Sequence, residues 1–157
     1  MSPERPDIFL YTDGAASGNP GPGGYGVVLK CGGISKELSG GFARTTNNRM
    51  ELTAVIKGLE AIRWQGARVK VFSDSTYVVN TVTQNWKRRK NQDLWAVFDS
   101  LAAGFSLEFH WVRGHAGHPE NERCDRLATQ AYSAGTDLPV DEGYENSVQN
   151  NELFENQ

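Results

Sequence analysis

The sequence predicts a domain of the mixed α/β (α+β) class, in which helices cover a single sheet. Strand patterns follow one another three times near the start of the chain, and helix and strand patterns alternate after that. A length of 157 residues with 38% hydrophobic content is sufficient for one domain with its own core. No repeat or linker interrupts these patterns before residue 136, so we expect one domain over residues 1–136.

The three opening strands predict an antiparallel meander. The run "DIFLYTDG" is rich in aromatic and β-branched residues and ends at Asp13. After the turn-forming run "AASGNPGPGG", the strand patterns "YGVVLKC" and "ISKELSGGF" follow, separated by a pair of glycines that is typical of a hairpin.

The middle of the chain changes to helical spacing. Apolar residues recur every three or four positions from Leu52 to Ile62, which predicts a long helix with Asn47 or Asn48 as its N-cap and Gly66 as its terminator. The remaining predicted elements are a strand, two helices, a strand and a helix: "RVKVFSD", "STYVVNTV", "NQDLWAVFDSLAA", "LEFHWVRG" and "PENERCDRLATQAY".

The net charge of −3 is unevenly distributed. Residues 137–157 hold six acidic residues and no lysine or arginine, so the rest of the chain carries an excess of three basic residues. The segment is also poor in apolar residues, which predicts an acidic, flexible C-terminal tail. Such a tail either only increases solubility or competes with a polyanionic ligand for the basic body.

The cysteine content and the hydropathy indicate a cytoplasmic protein. Cys31 and Cys124 are the only cysteines, and without a close cysteine pair a zinc site with the histidines is disfavoured. The first thirty residues contain no apolar run longer than residues 8–11, so neither a signal peptide nor a membrane span is predicted there.

Four acidic residues occupy positions that predict a common site. Asp13 and Asp74 end two predicted strands, while Glu51 and Asp125 lie beside the apolar faces of two helices. If the first and fourth strands are neighbours, the two aspartates meet at one edge of the sheet, within reach of the other two. Taken singly, Asp13 also fits a turn, Asp74 a helix cap and Glu51 a surface position.

Clustered carboxylates require cations to neutralise them, and an all-oxygen ligand set favours Mg²⁺ or Mn²⁺. Two such ions roughly 3.5–4 Å apart suit in-line displacement at a phosphodiester. Neighbouring segments are consistent with a nucleic-acid substrate. The run "RTTNN" offers phosphate ligands at a helix start, and "NWKRRKN" offers either a backbone-binding surface or only a solvated basic loop.

Four separated segments of the chain resemble bacterial ribonuclease HI, and they occur in the order found in that family. They are "YTDGAASGNPGPGGYG", "RTTNNRMEL", "FSDSTYV" and "WVRGHAGHPENERCDRLA". The resemblance covers residues 7–135 and implies a five-stranded mixed sheet with helices on both faces. It also implies a monomeric enzyme that cuts the RNA strand of RNA–DNA hybrids and leaves 5′-phosphate and 3′-hydroxyl ends.

The resemblance assigns roles to individual residues. Asp13, Glu51, Asp74 and Asp125 correspond to the family's metal ligands for two Mg²⁺ ions, with Mn²⁺ as a substitute, and His115 corresponds to its active-site histidine. The remaining implied contacts are to the hybrid. Asn19, Asn47 and Asn48, together with Glu51, are implied to contact the minor groove. Arg44, Thr46 and Asn91 are implied to bind a phosphate of the DNA strand, and Trp86 to lie along the DNA backbone.

The sequence departs from the family in one segment and at two single positions. Many relatives carry an extra helix and a basic protrusion where only "TQNWKRRKNQ" stands here, which predicts weaker hybrid binding. Thr76 replaces a common glutamine and Ala16 a frequent cysteine. Two other functions are less consistent with the sequence: a catalytically idle hybrid-binding module should have lost a carboxylate, and a strand-transfer or junction enzyme should lack the "GHAGHPENERCD" segment.

Overall fold

The computed structural model describes residues 5–114, 117–133 and 137–155, with side chains up to residue 151. The described residues form five strands and five helices: β1 Ile8–Ala16, β2 Gly21–Cys31, β3 Ile34–Thr45, α1 Asn47–Glu60, β4 Ala67–Ser73, α2 Thr76–Thr83, α3 Gln92–Ala102, β5 Phe105–Trp111, α4 Pro119–Ser133 and α5 Glu142–Glu155. The predicted mixed α/β fold is confirmed.

The strands form one sheet in the order β3-β2-β1-β4-β5. β1 pairs antiparallel with β2 and parallel with β4, so the expected meander is present and the first and fourth strands are neighbours. The β2–β3 hairpin closes at the pair Cys31↔Ile34, as the two glycines between them predict. β1 runs on to Ala16, past the predicted strand end at Asp13, but its pairing with β4 stops at Tyr11↔Phe72. Asp13 and Asp74 therefore both lie two residues beyond the last β1–β4 pair, at one edge of the sheet.

Helices α1 and α4 pack on opposite faces of the sheet. Leu10 of β1 is fully buried and is the nearest side chain to Gly58 of α1. Gly26 of β2 faces the other way, and a Cβ there would lie 2.1 Å from the carbonyl oxygen of Cys124 in α4. The strands and helices therefore enclose a core on the α1 face, and α4 reaches the first three strands from the other face.

Two predicted boundaries of α1 are wrong. Its N-cap is Thr46, whose side chain accepts a hydrogen bond from the Arg49 amide, rather than Asn47 or Asn48. The helix ends at Glu60, and Gly66 instead adopts a left-handed conformation (φ 77°) in the turn before β4. The two asparagines are thereby exposed at the helix start, where their side chains are available to other groups.

The expectation of a flexible tail over residues 137–157 requires correction. Residues 142–155 form α5, and Asp141 in front of it is 7% exposed and hydrogen-bonded to Thr45 and Arg49. The backbone amide of Ala43 also donates to the carbonyl of Pro139. A few specific polar contacts therefore fix a segment whose composition predicts disorder. Within the described ranges, none of the helices has the length and apolarity needed to cross a membrane.

Candidate active site

Three of the four predicted carboxylates converge. Asp13, Glu51 and Asp74 each present an oxygen, and these ligand atoms all lie within 4.8 Å of one another. Asp13 and Glu51 are each 7% exposed, and Asp74 is half-buried. The ordinary explanations for single residues do not apply, because Asp13 lies inside β1, Glu51 is not on the surface, and Ser75, not Asp74, caps α2.

Gly14 brings Asp13 and Glu51 together. Its backbone amide lies 2.9 Å from Asp13 Oδ1 and 2.8 Å from Glu51 Oε1, and donates to both. A Cβ at Gly14 would lie 2.3 Å from the backbone of Met50 and Glu51, so only glycine permits this approach of β1 to α1. The spacing of the two carboxylates is thus set by backbone packing.

Hydrogen bonds from the end of β5 and the residue after it fix the backbone at Asp74. The amide of Val112 donates to the Ser73 carbonyl at 2.9 Å, and the Trp111 indole donates to the Asp74 carbonyl at 3.1 Å. Because β4 and β5 are parallel, the segment leaving β5 passes next to the end of β4. The backbone that carries Asp74 is therefore fixed on the side away from β1.

Asp125 lies at the same site but outside the closest group of three. It lines an open cavity of about 380 Å³ with Asp13, Glu51 and Asp74, and a smaller cavity with Asp13 and Asp74. Its charge also raises the pKa of Asp13, which shows that the two carboxylates are electrostatically coupled. The arrangement is three close carboxylates with a fourth at the rim.

The site favours cations strongly. Burial, which is the main cause, and the charges of Asp74 and Asp125 raise the pKa of Asp13 to about 7, although its hydrogen bonds with Glu51 and the Gly14 amide act in the opposite direction. Burial and the neighbouring Asp13 charge raise the pKa of Glu51 well above its usual value. A divalent cation would replace the protons that these carboxyls otherwise hold at neutral pH.

The donor set fits Mg²⁺ or Mn²⁺. The site consists of carboxylate oxygens, and Glu51 Oε2 is buried without a hydrogen-bond partner among the described residues. Cys124 does not suit zinc, because its thiol is buried with a raised pKa and contacts the Tyr11 carbonyl at 3.2 Å. The disfavoured zinc reading gains no support from the structure.

Of the two histidines near the site in sequence, His115 and His118, the structure describes His118. His115, predicted to serve the reaction, lies outside the described residues. His118 is exposed and lines the smaller cavity with Asp13, Asp74 and Asp125, and Glu122 lines it as well. The backbone carbonyl of His118 accepts from the Glu122 amide near the start of α4.

The predicted minor-groove residues border the carboxylates. Asn47 and Asn48 line the larger cavity, as does Thr76. Asn47 Oδ1 accepts from the Ala16 amide at 2.6 Å, and the Asn47 amide donates to Asn19 Oδ1 at 3.1 Å. These bonds connect the loop after β1 to the start of α1, so the amide groups form one surface beside the site.

The predicted phosphate ligands are more dispersed. The Asn91 side chain is occupied internally, accepting from Arg49 and donating to Tyr77, and Thr46 caps α1. Arg44 is exposed, and its guanidinium lies 5.3 Å from the Tyr144 ring centre and 3.8 Å from Glu145 of α5.

The basic segment is short and open to solvent. Trp86 is 46% exposed, and Lys87, Arg89 and Lys90 are exposed around it. Arg88 differs, because it pairs with Asp99 and stacks over Trp95. Three of the four cations are thus placed to meet a polyanion.

Sequence reasoning missed two residues whose side chains join separate parts of the fold. Arg49 is buried and binds both Asp93 and Asp141, and Asn121 bonds to the backbones of β1 and β4. The sequence gives a weak signal for each: a charged residue within the apolar stripe of α1, and an amide one helical turn before Asp125.

A sheet that delivers carboxylates from adjacent parallel strands to one edge, with helices adding two more, is typical of metal-dependent enzymes acting on phosphodiesters. Comparison with known proteins agrees. The RNase H family model matches residues 5–133. Ribonuclease H of Nitratidesulfovibrio vulgaris (strain DP4) is 49% identical over 152 residues, covering 88% of this chain and 96% of that protein.

Solved structures show the same relationship. RNase H1 from Halobacterium salinarum NRC-1 superimposes with a TM-score of 0.71 and 31% identity, covering 82% of this chain and 99% of that one. LC11-RNase H1, solved in complex with an RNA/DNA hybrid, gives a TM-score of 0.67 and 28% identity, covering 82% of this chain and 98% of that one. The chain belongs to the RNase H family and is a nuclease acting on RNA–DNA hybrids.

Proposed function

We propose that this enzyme hydrolyses the RNA strand of RNA–DNA hybrids by a two-metal-ion mechanism and leaves 5′-phosphate and 3′-hydroxyl ends. The observation that supports this most directly is the convergence of Asp13, Glu51 and Asp74 within 4.8 Å, with Asp125 on the same cavity. So many buried carboxylates are stable at neutral pH only with protons or cations.

The four carboxylates would hold the ions through their oxygens. When bound there, divalent ions would supply activation of a water nucleophile and stabilisation of the leaving 3′ oxygen. Mg²⁺ is the proposed ion and Mn²⁺ its substitute. The Gly14 amide fixes the spacing of the Asp13 and Glu51 carboxylates, because it donates a hydrogen bond to each. His115 is proposed to donate a proton to the leaving oxygen or to assist product departure.

Strand selection requires contact with the 2′-hydroxyl. Asn19, Asn47 and Asn48 are proposed to contact the minor groove next to the scissile phosphate, together with Glu51. Support comes from the cavity that Asn47 and Asn48 share with the carboxylates, and from the relative solved in complex with an RNA/DNA hybrid.

The DNA strand is proposed to lie over the other side of the loop before α1. Arg44 and Thr46 would bind one phosphate, and Trp86 would lie along the backbone. Asn91 contributes in a modified way, because its amide is already bonded to Arg49 and Tyr77. We therefore propose that Asn91 acts by positioning Arg49 and Tyr77.

The shortened basic segment is proposed to weaken hybrid binding. Only eight positions, 84–91, separate α2 from α3. The alignment with the Nitratidesulfovibrio vulgaris enzyme counts 152 positions but uses 88% of the 157 residues here, so it contains gaps in this chain. Both observations fit the absence of a longer protrusion.

A monomeric cytoplasmic enzyme with its catalytic domain over residues 1–136 completes the proposal. The exposed large apolar side chains of the described residues, such as Ile34, Trp86 and Val140, come from separate parts of the chain. Both cysteines are free. The family match ends at residue 133, close to the proposed boundary.

A cleavage assay tests the proposal. Labelled RNA–DNA hybrid, double-stranded RNA and double-stranded DNA are incubated with the full chain and Mg²⁺ or Mn²⁺ separately, and the product ends are analysed. We expect cleavage of the hybrid's RNA strand alone, and Asp13→Asn should abolish it while retaining hybrid binding. Binding by the wild type without product would instead support the idle binding module, and full activity of Asp13→Asn would contradict the mechanism.

A further inference from the structure

Asn121 connects the three elements that carry the aspartates of the site. It lies on α4, four residues before Asp125 and therefore on the same helix face. Its Nδ2 donates to the Thr12 carbonyl at 3.4 Å and to the Phe72 carbonyl at 3.2 Å. One side chain thus contacts β1 one residue before Asp13 and β4 two residues before Asp74.

These two carbonyls lie where the strands part. The parallel pairing of β1 with β4 runs from Ile8↔Val69 to Tyr11↔Phe72 and then ends, whereas β1 continues beside β2. Backbone carbonyls that are removed from water at such a point need another donor. Asn121 supplies one at the position where β1 and β4 separate, just before Asp13 and Asp74.

The orientation of the amide follows from its neighbours. Both contacts are to carbonyl oxygens, so the NH₂ group must face them. Oδ1 is buried on the other side, without a partner among the described residues. Cys124 of α4 also bonds to β1, at the Tyr11 carbonyl. Asn121 differs from it in bonding to the backbones of both β1 and β4.

We propose that Asn121 is a positioning residue that sets the separation of Asp13, Asp74 and Asp125. Without it, α4 retains its packing on β1 and β2 and the Cys124 bond to the Tyr11 carbonyl, but loses its bond to β4. Of the side-chain bonds that join β1 to β4 at this point, the one from the Thr12 hydroxyl to the Phe72 carbonyl remains, at 3.4 Å. The inference rests on the proposed metal-dependent function. Partners that orient metal ligands change metal affinity or activity by about 10–100-fold when they are removed.

Binding of Mn²⁺ to the full chain without substrate tests this positioning role. Electron paramagnetic resonance measures the Mn²⁺ affinity of each variant, and thermal unfolding in chelator measures its stability. Asn121→Ala should bind Mn²⁺ about 10-fold more weakly than the wild type. Cys124→Ala is the matched control, because it also removes an α4 contact to β1 and lowers the melting temperature. It should bind Mn²⁺ with wild-type affinity.

The outcomes separate the two levels of the proposal. Wild-type Mn²⁺ affinity in Asn121→Ala overturns the positioning role, as does an equal loss in Cys124→Ala. If the wild type itself binds no Mn²⁺, the proposed function fails instead. If Asn121→Ala does not fold, Asn121→Ser, which retains one donor, replaces it. Weaker Mn²⁺ binding in Asn121→Ser than in Cys124→Ala supports the positioning role, and unchanged Mn²⁺ binding overturns it.

Discussion

Arg49 and Asp141 form a buried ion pair that joins α1 to a residue 92 positions further along the chain. Nε lies 2.9 Å from Oδ2 and Nη2 lies 3.0 Å from Oδ1, so the pair is bidentate. Their side chains are 4% and 8% exposed. Asp141 also accepts from the Thr45 hydroxyl at 2.6 Å, so the segment before α5 is attached directly beside the loop that leads into α1.

Removing one partner of this pair should destabilise the enzyme. Asp141→Asn leaves the buried Arg49 guanidinium with Asp93 as its main partner, and we expect a loss of about 3 kcal/mol in the free energy of unfolding. Denaturation by urea measures it. Asp93→Asn is the matched control, because the Asp93 side chain is 47% exposed and its loss should cost less. An equal or smaller effect of Asp141→Asn would contradict the structural role of this pair.

The ion pair also shows where sequence reasoning reaches its limit. The positions of Asp13 and Asp74 follow from strand patterns, because parallel neighbours end at the same edge, and Glu51 follows from helical spacing. Asp141 lies in a segment whose composition resembles that of disordered chains, and an average composition does not reveal that Asp141 is buried. Arg49 gives no local sign of partners that lie 44 and 92 residues away.

Asn121 and Thr46 illustrate the same limit at shorter range. The donors of Asn121 are needed only because two strands separate in front of it, and that gap exists in the folded sheet alone. Thr46, Asn47 and Asn48 are all acceptable N-caps by residue type. The choice of Thr46 is favoured by the tertiary contacts of Asn47, whose side chain is bonded to the Ala16 amide in β1.

The clustered carboxylates should make the metal-free enzyme less stable as pH rises. The pKa of Asp13 is raised from its usual 3.8 to about 7 in the folded state, so the folded chain binds more protons than the unfolded chain between these values. Stability therefore falls as pH rises through this interval. Asp13→Asn removes the effect, and in chelator it should melt higher than the wild type above pH 7 and equally below about pH 4.

Melting curves from pH 4 to pH 8 measure this difference. A gain of about 1 kcal/mol corresponds to roughly 2–4 °C for a chain of this length. Added Mg²⁺ should stabilise the wild type and leave Asp13→Asn nearly unchanged. Asp137→Asn is the control, because this aspartate is exposed and distant in sequence from the site. A parallel pH dependence in wild type and Asp13→Asn would show that the carboxylates are not coupled as the structure indicates.

The basic segment should give hybrid binding a shallow salt dependence. Each phosphate neutralised contributes about −0.9 to the slope of log affinity against log salt for B-form duplexes. Replacing Lys87, Arg89 and Lys90 with glutamine should weaken binding and flatten the slope further. Arg88→Gln should leave the slope unchanged, because Arg88 is held by Asp99 and Trp95. Binding titrations with Asp13→Asn in each background, at several salt concentrations, measure both quantities.

Extending the same segment gives the opposite prediction. Inserting additional basic residues between Trp86 and Asn91 should tighten binding and steepen the slope, since more phosphates are neutralised. If the longer segment binds no better, contacts elsewhere limit affinity, and the shortened protrusion does not explain weak binding.

Helix α5 places acidic charge beside a proposed phosphate ligand, which gives the competition hypothesis for the C-terminal segment a specific contact. Glu145 lies 3.8 Å from the Arg44 guanidinium, with both side chains partly exposed. Removing residues 137–157 would also delete Asp141, so neutralising Glu142 and Glu145 by glutamine substitution is the cleaner change. At low salt the double variant should bind hybrid up to about fivefold more tightly, the upper range for an exposed pair.

The difference should disappear at high salt, because exposed charges are then screened. Neutralising Glu152 and Glu155 at the far end of α5 is the matched control, since it removes the same charge at positions further along the helix. If both double variants gain affinity equally, the effect is one of net charge and not of the contact with Arg44. If neither gains affinity, α5 is a passive extension, and the function of the segment is the attachment of Asp141 to Arg49.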